Sequence, residues 1–158
     1  MEQGHFYFLK ESYYTDFPDP DIQRNHETIG GVVHNKPCFY ALKGSCDGLF
    51  WMIPISSKTD KYHRIADQKI KKYGRCETII FGNLLGHEKA FLIQNMVPIT
   101  AEYINNEYLS NSLSVRVDGE LERLLMQTAK DVLNKQRRGI KLIFPDVISI
   151  EKALIEKL

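Results

Sequence analysis

The sequence lacks the short motifs by which many catalytic sites are recognised. It has no GxSxG, P-loop, GxGxxG or HExxH pattern, and its five histidines are scattered without paired short spacings. Its three cysteines show no CxxC spacing, which favours reduced thiols buried as small apolar residues over a disulfide framework or a zinc site. These absences argue against the commonest zinc-enzyme, hydrolase and nucleotide-binding classes, and we expect neither a metal nor a cofactor.

Long apolar runs are also missing. No segment reaches the roughly 18 apolar residues that a membrane span requires, and the first residues do not form a basic-then-apolar signal peptide. With 158 residues, 43% hydrophobic and 26% charged, the chain is typical of one globular domain over residues 1–158. We therefore expect a cytoplasmic protein that does not bind membranes.

A strong excess of charge is absent too, because the net charge is only +1. Any affinity for nucleic acid must then come from local clustering of cations. Such a cluster lies in the helix predicted after Lys58, whose apolar residues recur every three or four positions and which should end at Gly74. The cations that face away from these apolar residues are Lys58, Lys61, Arg64, Lys69, Lys71, Lys72 and Arg75. They predict either a phosphate-binding face or an ordinary solvated one.

The residues just before this helix supply hydroxyl groups. Phe50 to Ile55 is almost entirely apolar and predicts a buried strand, which ends at Ser56 and Ser57. Ser57, with Asp60 three residues later, is typical of an N-cap. The same position is also suited to a phosphate, since the amides at a helix N-terminus favour anions. The two interpretations of Ser57 are compatible.

The rest of the chain predicts an α+β fold. Residues 12–36 should form a long polar loop, and Asp118 should open the longest helix, which ends at Gly139. We predict further strands at residues 4–10, 37–43, 76–81, 89–94, 115–117 and 141–144, a strand end or short turn at 97–103, and a helix at 148–157. Short strands with inserted helices point to a compact, strongly bent antiparallel sheet or barrel.

Other candidate contacts are individually weak. His63, on the basic helix, could bind a phosphate or act as an acid, although an exposed helical histidine is commonly inert. Tyr7, Tyr13, Tyr14 and Tyr40 could stack on unpaired bases, although core packing is the ordinary role of strand tyrosines. A site of hydroxyls, lysines and amides is nevertheless sufficient to cleave RNA, because the substrate carries its own nucleophile in the 2'-hydroxyl.

Several segments together resemble one family over essentially the whole chain. The segments GHFYFLKESYYTDF, KPCFYAL, WMIPISSK followed by KYHRI, and AFLIQNMVPIT resemble the toxins of type III toxin-antitoxin systems, the ToxN and AbiQ group, and most of all its CptN branch. The resemblance implies a sequence-selective, metal-independent endoribonuclease of phage defence, on a barrel related to the MazF, Kid and CcdB toxins. It also implies inhibition by a small pseudoknotted RNA, cut from a repeated precursor and held in a closed protein–RNA assembly, without a protein antitoxin.

The resemblance also implies roles for individual residues. The family's serine pair and lysine fall on Ser56, Ser57 and Lys58, with Lys61 an alternative to Lys58. Ser57 would act at the scissile phosphate, Lys58 would stabilise the phosphorane, and Ser56 would support both, giving 2',3'-cyclic phosphate and 5'-hydroxyl ends. The residues expected to bind the RNA are Lys36, Lys61, His63, Arg64, Lys69, Lys72, Arg75 and Tyr13.

Two other functions remain open on the sequence. In a non-catalytic RNA-binding barrel, the same lysines would bind phosphates and the serines would only cap the helix. In a related toxin restrained by a protein antitoxin, no RNA would accompany the protein through purification. Cleavage of RNA in the presence of EDTA separates the enzyme from the binder, and the nucleic acid that co-purifies separates the two kinds of toxin.

Overall fold

The computed structural model describes residues 1–24 and 26–158, with the backbone alone at residues 27, 29 and 33. The strands are β1 (Phe6–Leu9), β2 (His26–Ile29), β3 (Val32–Asn35), β4 (Cys38–Lys43), β5 (Leu49–Ser56), β6 (Ile79–Leu84), β7 (His87–Leu92), β8 (Val97–Thr100), β9 (Ile104–Glu107), β10 (Leu109–Ser110) and β11 (Leu113–Ser114). The helices are α1 (Glu11–Asp16), α2 (Thr59–Tyr73), α3 (Gly119–Arg137) and α4 (Val147–Lys157), and 3-10 turns cover Ile93–Asn95 and Ala101–Tyr103.

Seven strands form one antiparallel sheet in the order β6-β7-β5-β4-β1-β9, and β8 pairs with the first half of β5. This arrangement confirms the predicted α+β class and the antiparallel sheet. The path of strand pairing ends at β6 and at β9, and no ladder joins these two strands in the part of the chain that the structure describes. The sheet is therefore not closed into the predicted barrel.

Strand β5 is the centre of the fold because both of its faces are covered. Trp51, Ile53 and Ile55 pack into a core with the apolar face of α3, whereas Met52 packs into a second core with residues of α1 and α4. Alternate residues of a strand point to opposite faces, so a nearly continuous apolar sequence is what a strand between two cores needs. The predicted strand and its hairpin with β4 are confirmed.

Helix α2 also follows the prediction, except at its start. Tyr62 and Ala66 are its buried residues, and Gly74 ends it in the left-handed conformation with φ of 80°. The N-cap position is occupied by Lys58, whose side chain makes no capping hydrogen bond. The predicted capping role of Ser57 is therefore wrong, because the strand continues through Ser56 and the helix starts two residues after Ser57.

The predicted long loop over residues 12–36 is wrong. Its first residues belong to α1, and residues 26–35 form a β2–β3 hairpin in which His26 pairs with Asn35. The aromatic residues of α1 account for the helix, since Tyr13 and Tyr14 are buried against the sheet. Polar composition and two prolines concealed these elements, of which α1 is stabilised by packing of its tyrosines in the core.

One further prediction is refined and two are wrong. Residues 97–103, predicted as a strand end or short turn, form strand β8 followed by the 3-10 turn Ala101–Tyr103, and residues 115–117 are not a strand. Residues 141–144 are irregular, because their amides bond to groups outside any strand: Gln136 Oε1 accepts from Leu142 N at 2.7 Å and from Ile143 N at 2.9 Å. The predicted hairpin after residue 76 is confirmed as β6–β7, and the helices predicted at 118–138 and 148–157 as α3 and α4.

The cysteines only partly match the expectation of buried thiols. All three are unbridged, but Cys38 alone is buried and Cys46 is exposed. Burial raises the pKa of the Cys38 thiol to about 12.

Within the described residues, the helices are all too short or too polar to cross a membrane.

Candidate functional site

The serine pair lies where β5 ends between two neighbouring strands. Ser56 pairs with Ala90 of β7, so the next residue, Ser57, lies opposite Lys89. On the other side, Cys38 of β4 pairs with Pro54, which brings Lys36 level with the end of β5. Two lysines distant in sequence are thus placed on either side of Ser57 by strand register alone.

Ser57, Lys36 and Lys89 line a pocket of about 170 Å³, which we call the Ser57 pocket. Its lining residues are His34, Asn35, Lys36, Pro37, Ile55, Ser57, Leu84, Leu85, His87, Lys89 and Tyr108. Sites for whole drug-sized ligands usually measure about 300–1,000 Å³. A pocket of this size is suited to a single group such as a phosphate.

Ser57 and Lys89 are in direct contact. The Lys89 ammonium donates a hydrogen bond of 2.5 Å to Ser57 Oγ, and both side chains are half-buried. Ser56 is buried, and its hydroxyl accepts a hydrogen bond of 3.1 Å from the backbone N–H of Lys58. Ser56 therefore shapes the turn from β5 to α2, whereas the Ser57 hydroxyl faces the pocket.

Lys36 brings its charge to the pocket from beneath the surface. The residue is 6% exposed, and its Nζ donates a hydrogen bond of 2.9 Å to Gln23 Oε1. Lys58, by contrast, is exposed where α2 begins.

The described lining of the pocket is cationic. It includes two lysines and two histidines, and none of its described residues is an aspartate or a glutamate. Because a concave site focuses the field of its charges, this lining attracts anions. Such a donor set does not suit Mg²⁺, which binds through carboxylates, and the described residues contain no cluster of three or more His, Cys, Asp or Glu that could hold a metal ion.

Helix α2 begins two residues after Ser57 and carries a basic face. Lys61, Arg64 and Lys72 are exposed and lie on one side of the helix, as their spacing requires, and Arg75 is exposed just after the helix ends. Lys69 differs, because it is half-buried and donates hydrogen bonds to Gln94 Oε1 at 2.6 Å and to Thr78 Oγ1 at 3.1 Å. Of the five cations in and just after α2 that are predicted to bind RNA, four are thus exposed to solvent.

His63 is held by its neighbours. Its ring stacks on Phe81, with the ring centroids 3.7 Å apart, and its Nε2 lies 2.9 Å from Glu88 Oε1. The side chain is 46% exposed. It lies outside the residues that line the pocket, so the structure does not bring it to Ser57.

Tyr13 is placed in the core rather than in a binding surface. The residue is fully buried, its hydroxyl donates a hydrogen bond of 2.8 Å to the carbonyl oxygen of Pro98, and burial raises its pKa well above the usual value. Its ring therefore offers no face to RNA, and the predicted contact is corrected. Tyr7, Tyr14 and Tyr40 are buried as well, as the core-packing alternative predicts.

Besides Lys36, the lining has three basic residues that the sequence did not predict as part of a site: His34, His87 and Lys89. Lys89 was predicted only as the first residue of a strand. The signal in the sequence is its position, since a lysine that precedes the apolar run AFLI marks the end at which the strand reaches solvent. Its contact with Ser57 depends on the pairing of β5 with β7, which no local pattern specifies.

No protein-family model matches the chain, and no curated protein matches it. The assignment of function therefore depends on the geometry described above.

Proposed function

We propose that the protein is an endoribonuclease that cleaves RNA by attack of the 2'-hydroxyl on the adjacent phosphate, bound in the Ser57 pocket. The observation that carries the proposal is the contact of Ser57 with Lys89, beside Lys36, at the end of a helix with an exposed basic face. The products would carry 2',3'-cyclic phosphate and 5'-hydroxyl ends.

The pocket supplies the parts that this reaction needs. The negative charge of the phosphorane grows in the transition state, and fixed ammonium groups in a partly enclosed site stabilise it. Lys89 is fixed by its hydrogen bond to Ser57, and Lys36 is fixed by Gln23. The Ser57 hydroxyl would donate a hydrogen bond to a phosphate oxygen, and the ammonium groups of the lysines would stabilise the negative charge of the phosphorane.

Proton transfer falls to the histidines at the rim. His34 and His87 both line the pocket and are exposed. Imidazole can both accept and donate a proton, so these side chains suit the removal of a proton from the 2'-hydroxyl and the donation of a proton to the leaving 5'-oxygen. Neither role requires a metal ion.

The resemblance to the ToxN and AbiQ toxins supports a more specific form of the proposal. The residues that it implies, Ser57 and Lys36, line one pocket although 21 positions separate them, and Lys58 lies at the start of the adjacent helix. We therefore extend the proposal to a cytoplasmic type III toxin of the CptN branch, with a fold related to that of the MazF, Kid and CcdB toxins and a pseudoknotted RNA as its inhibitor.

The test is cleavage of RNA by the purified protein in EDTA. We expect the parent to cut, Ser57→Ala to lose at least tenfold in rate, and Ser149→Ala, an exposed serine of α4, to cut as the parent does. Mass spectrometry of the fragments should find 2',3'-cyclic phosphate ends. RNA that is retained but left intact by the parent would establish the non-catalytic binder instead.

A second measurement concerns the partner. Protein expressed with its native flanking sequence and then purified should carry a small RNA whose sequencing gives a repeat with pseudoknot potential. Co-purification of a small protein in its place would refute the type III assignment while leaving the nuclease proposal intact.

A further inference from the structure

A larger groove lies at the other end of α2, away from the Ser57 pocket. It measures about 600 Å³ and is bounded by the last turn of α2, the residues leading into β6, and residues 140–144. We call it the α2-end groove. None of the residues predicted to be catalytic lines it, although Lys69 and Arg75 do.

The walls of the α2-end groove expose large apolar side chains. Tyr73 is 66% exposed, Ile140 51% and Phe144 39%. The ammonium groups of Lys72 and Lys69 lie 5.2 Å and 5.3 Å from the ring centroids of Tyr73 and Phe144, respectively. Each ring can stack on a flat partner through its other face.

The charge around these rings is positive. The groove's one described acid is Glu77, and Lys135 neutralises it through contacts of 2.9 Å and 3.0 Å to the two carboxylate oxygens. Lys69, Arg75 and Lys141 remain as cations, and in the part of the chain that the structure describes neither Arg75 nor Lys141 has an acidic partner within 4 Å.

One of the cations is held in a fixed position. Thr78 and Gln94, each only 4% exposed, accept the hydrogen bonds of the Lys69 ammonium. Aromatic surface, a fixed cation with two further cations, and a neutralised carboxylate together fit a flat ring system joined to an anion. A nucleotide has this composition, with a base for the rings and a phosphate for the cations.

Helix α2 connects the groove to the Ser57 pocket. Its 15 residues span about 22 Å at a rise of about 1.5 Å per residue. A stacked single strand would cover that distance with about six nucleotides at 3.4 Å each, and an extended strand with fewer. The exposed cations Lys61, Arg64 and Lys72 lie between the two ends.

We propose that the α2-end groove binds a second nucleotide of the RNA strand whose scissile phosphate occupies the Ser57 pocket. The base stacks on Tyr73, and the phosphate contacts Arg75 and Lys141. This inference rests on the proposed ribonuclease function and adds to it a requirement for substrate length, because a strand too short to reach the groove gains nothing from it.

The experiment compares two RNA lengths. A trimer and a decamer, both with a 2'-O-methyl group at every ribose to prevent cleavage, are titrated against the parent and against Tyr73→Ala by fluorescence anisotropy. We expect Tyr73→Ala to weaken the decamer about fivefold to a hundredfold, the range for loss of one stacked base, and to leave the trimer unchanged. Tyr73→Phe should bind as the parent does. The control is Lys152→Ala, which removes an exposed cation of α4.

Each other result overturns the inference in a recognisable way. If Tyr73→Ala changes neither affinity while the parent binds the trimer, the groove is not used and the Ser57 pocket stands. If the parent binds neither RNA, the proposed function fails as well. If AMP binds the parent more tightly than the decamer binds it, and AMP does not bind Tyr73→Ala, the groove is a site for a free nucleotide. Circular dichroism of Tyr73→Ala checks that the fold is retained, as its exposure leads us to expect.

Discussion

Replacing Lys89 by methionine removes the ammonium group that contacts Ser57 and keeps most of the side-chain volume. The alkyl chain of Lys89 is half-buried against β5, so methionine fills the same space. The hydrogen bond that is lost contributes about 1 kcal/mol to stability in a typical case.

The effect on catalysis should be much larger than the effect on stability. A donor aimed at charge that develops in the transition state contributes about 2.7–4 kcal/mol, which corresponds to a loss of about 100-fold to 1,000-fold in kcat. A unit charge about 4 Å from another interacts by about 4 kcal/mol at an effective dielectric constant of about 20, which agrees with that range. We therefore expect Lys89→Met to fold normally and to cleave RNA at least 100-fold more slowly.

The assay is single-turnover cleavage of an RNA in EDTA, with the free energy of unfolding measured by urea titration on the same preparations. Lys89→Arg tests charge against geometry: it keeps the cation but replaces a compact ammonium by a planar guanidinium, and we expect partial activity. Lys130→Met, at an exposed position of α3, is the matched control. Cleavage by folded Lys89→Met within threefold of the parent rate would refute the role of Lys89.

Three further predictions concern the fold around the site. Tyr13→Phe leaves the buried carbonyl oxygen of Pro98 without its hydrogen-bond donor, so urea titration should show that the free energy of unfolding falls by about 1–3 kcal/mol, with RNA affinity unchanged. Reduced RNA affinity in the folded variant would show that Tyr13 does contribute to RNA binding. Burial raises the pKa of the Cys38 thiol from 9.0 to about 12, so the folded thiol stays neutral at pH values at which the unfolded thiol ionises. The contribution of Cys38 to the free energy of unfolding is therefore complete below pH 9 and declines as the pH rises towards 12. Cys38→Ala should flatten this part of the pH profile, and an unchanged profile would contradict the assignment. Leu85, at the tip of the β6–β7 hairpin, has φ of 52°, in the left-handed region that asparagine adopts more readily than leucine. Leu85→Asn should therefore raise the free energy of unfolding by about 0.5–1 kcal/mol and raise the Tm. A lower Tm would show that the contacts of the Leu85 side chain outweigh its backbone strain.

Local patterns in the sequence were sufficient for the elements whose cause is local. Helix α2 ends at Gly74 because glycine adopts the left-handed conformation there, and α3 begins after Asp118 because the Asp118 carboxylate accepts a hydrogen bond of 2.8 Å from Leu121 N. The same patterns failed at residues 141–144, where the amides bond to Gln136 and the carbonyl oxygen of Gln94 in place of a neighbouring strand. Periodicity indicates which residues are apolar, but it does not show which groups satisfy the backbone.

The candidate site divides in the same way. Its serines and its basic helix are contiguous in the chain, so the sequence alone was enough to draw attention to Ser57 and to the cations that follow it. Lys36 and Lys89 line the same pocket as Ser57 only because β4 and β7 flank β5 in a particular register, and a shift of one residue would turn either lysine away from the pocket. Register is set by packing between distant segments, and for that reason only the tertiary structure decided which lysines surround the hydroxyl, that the sheet stays open, and that Tyr13 belongs to the core.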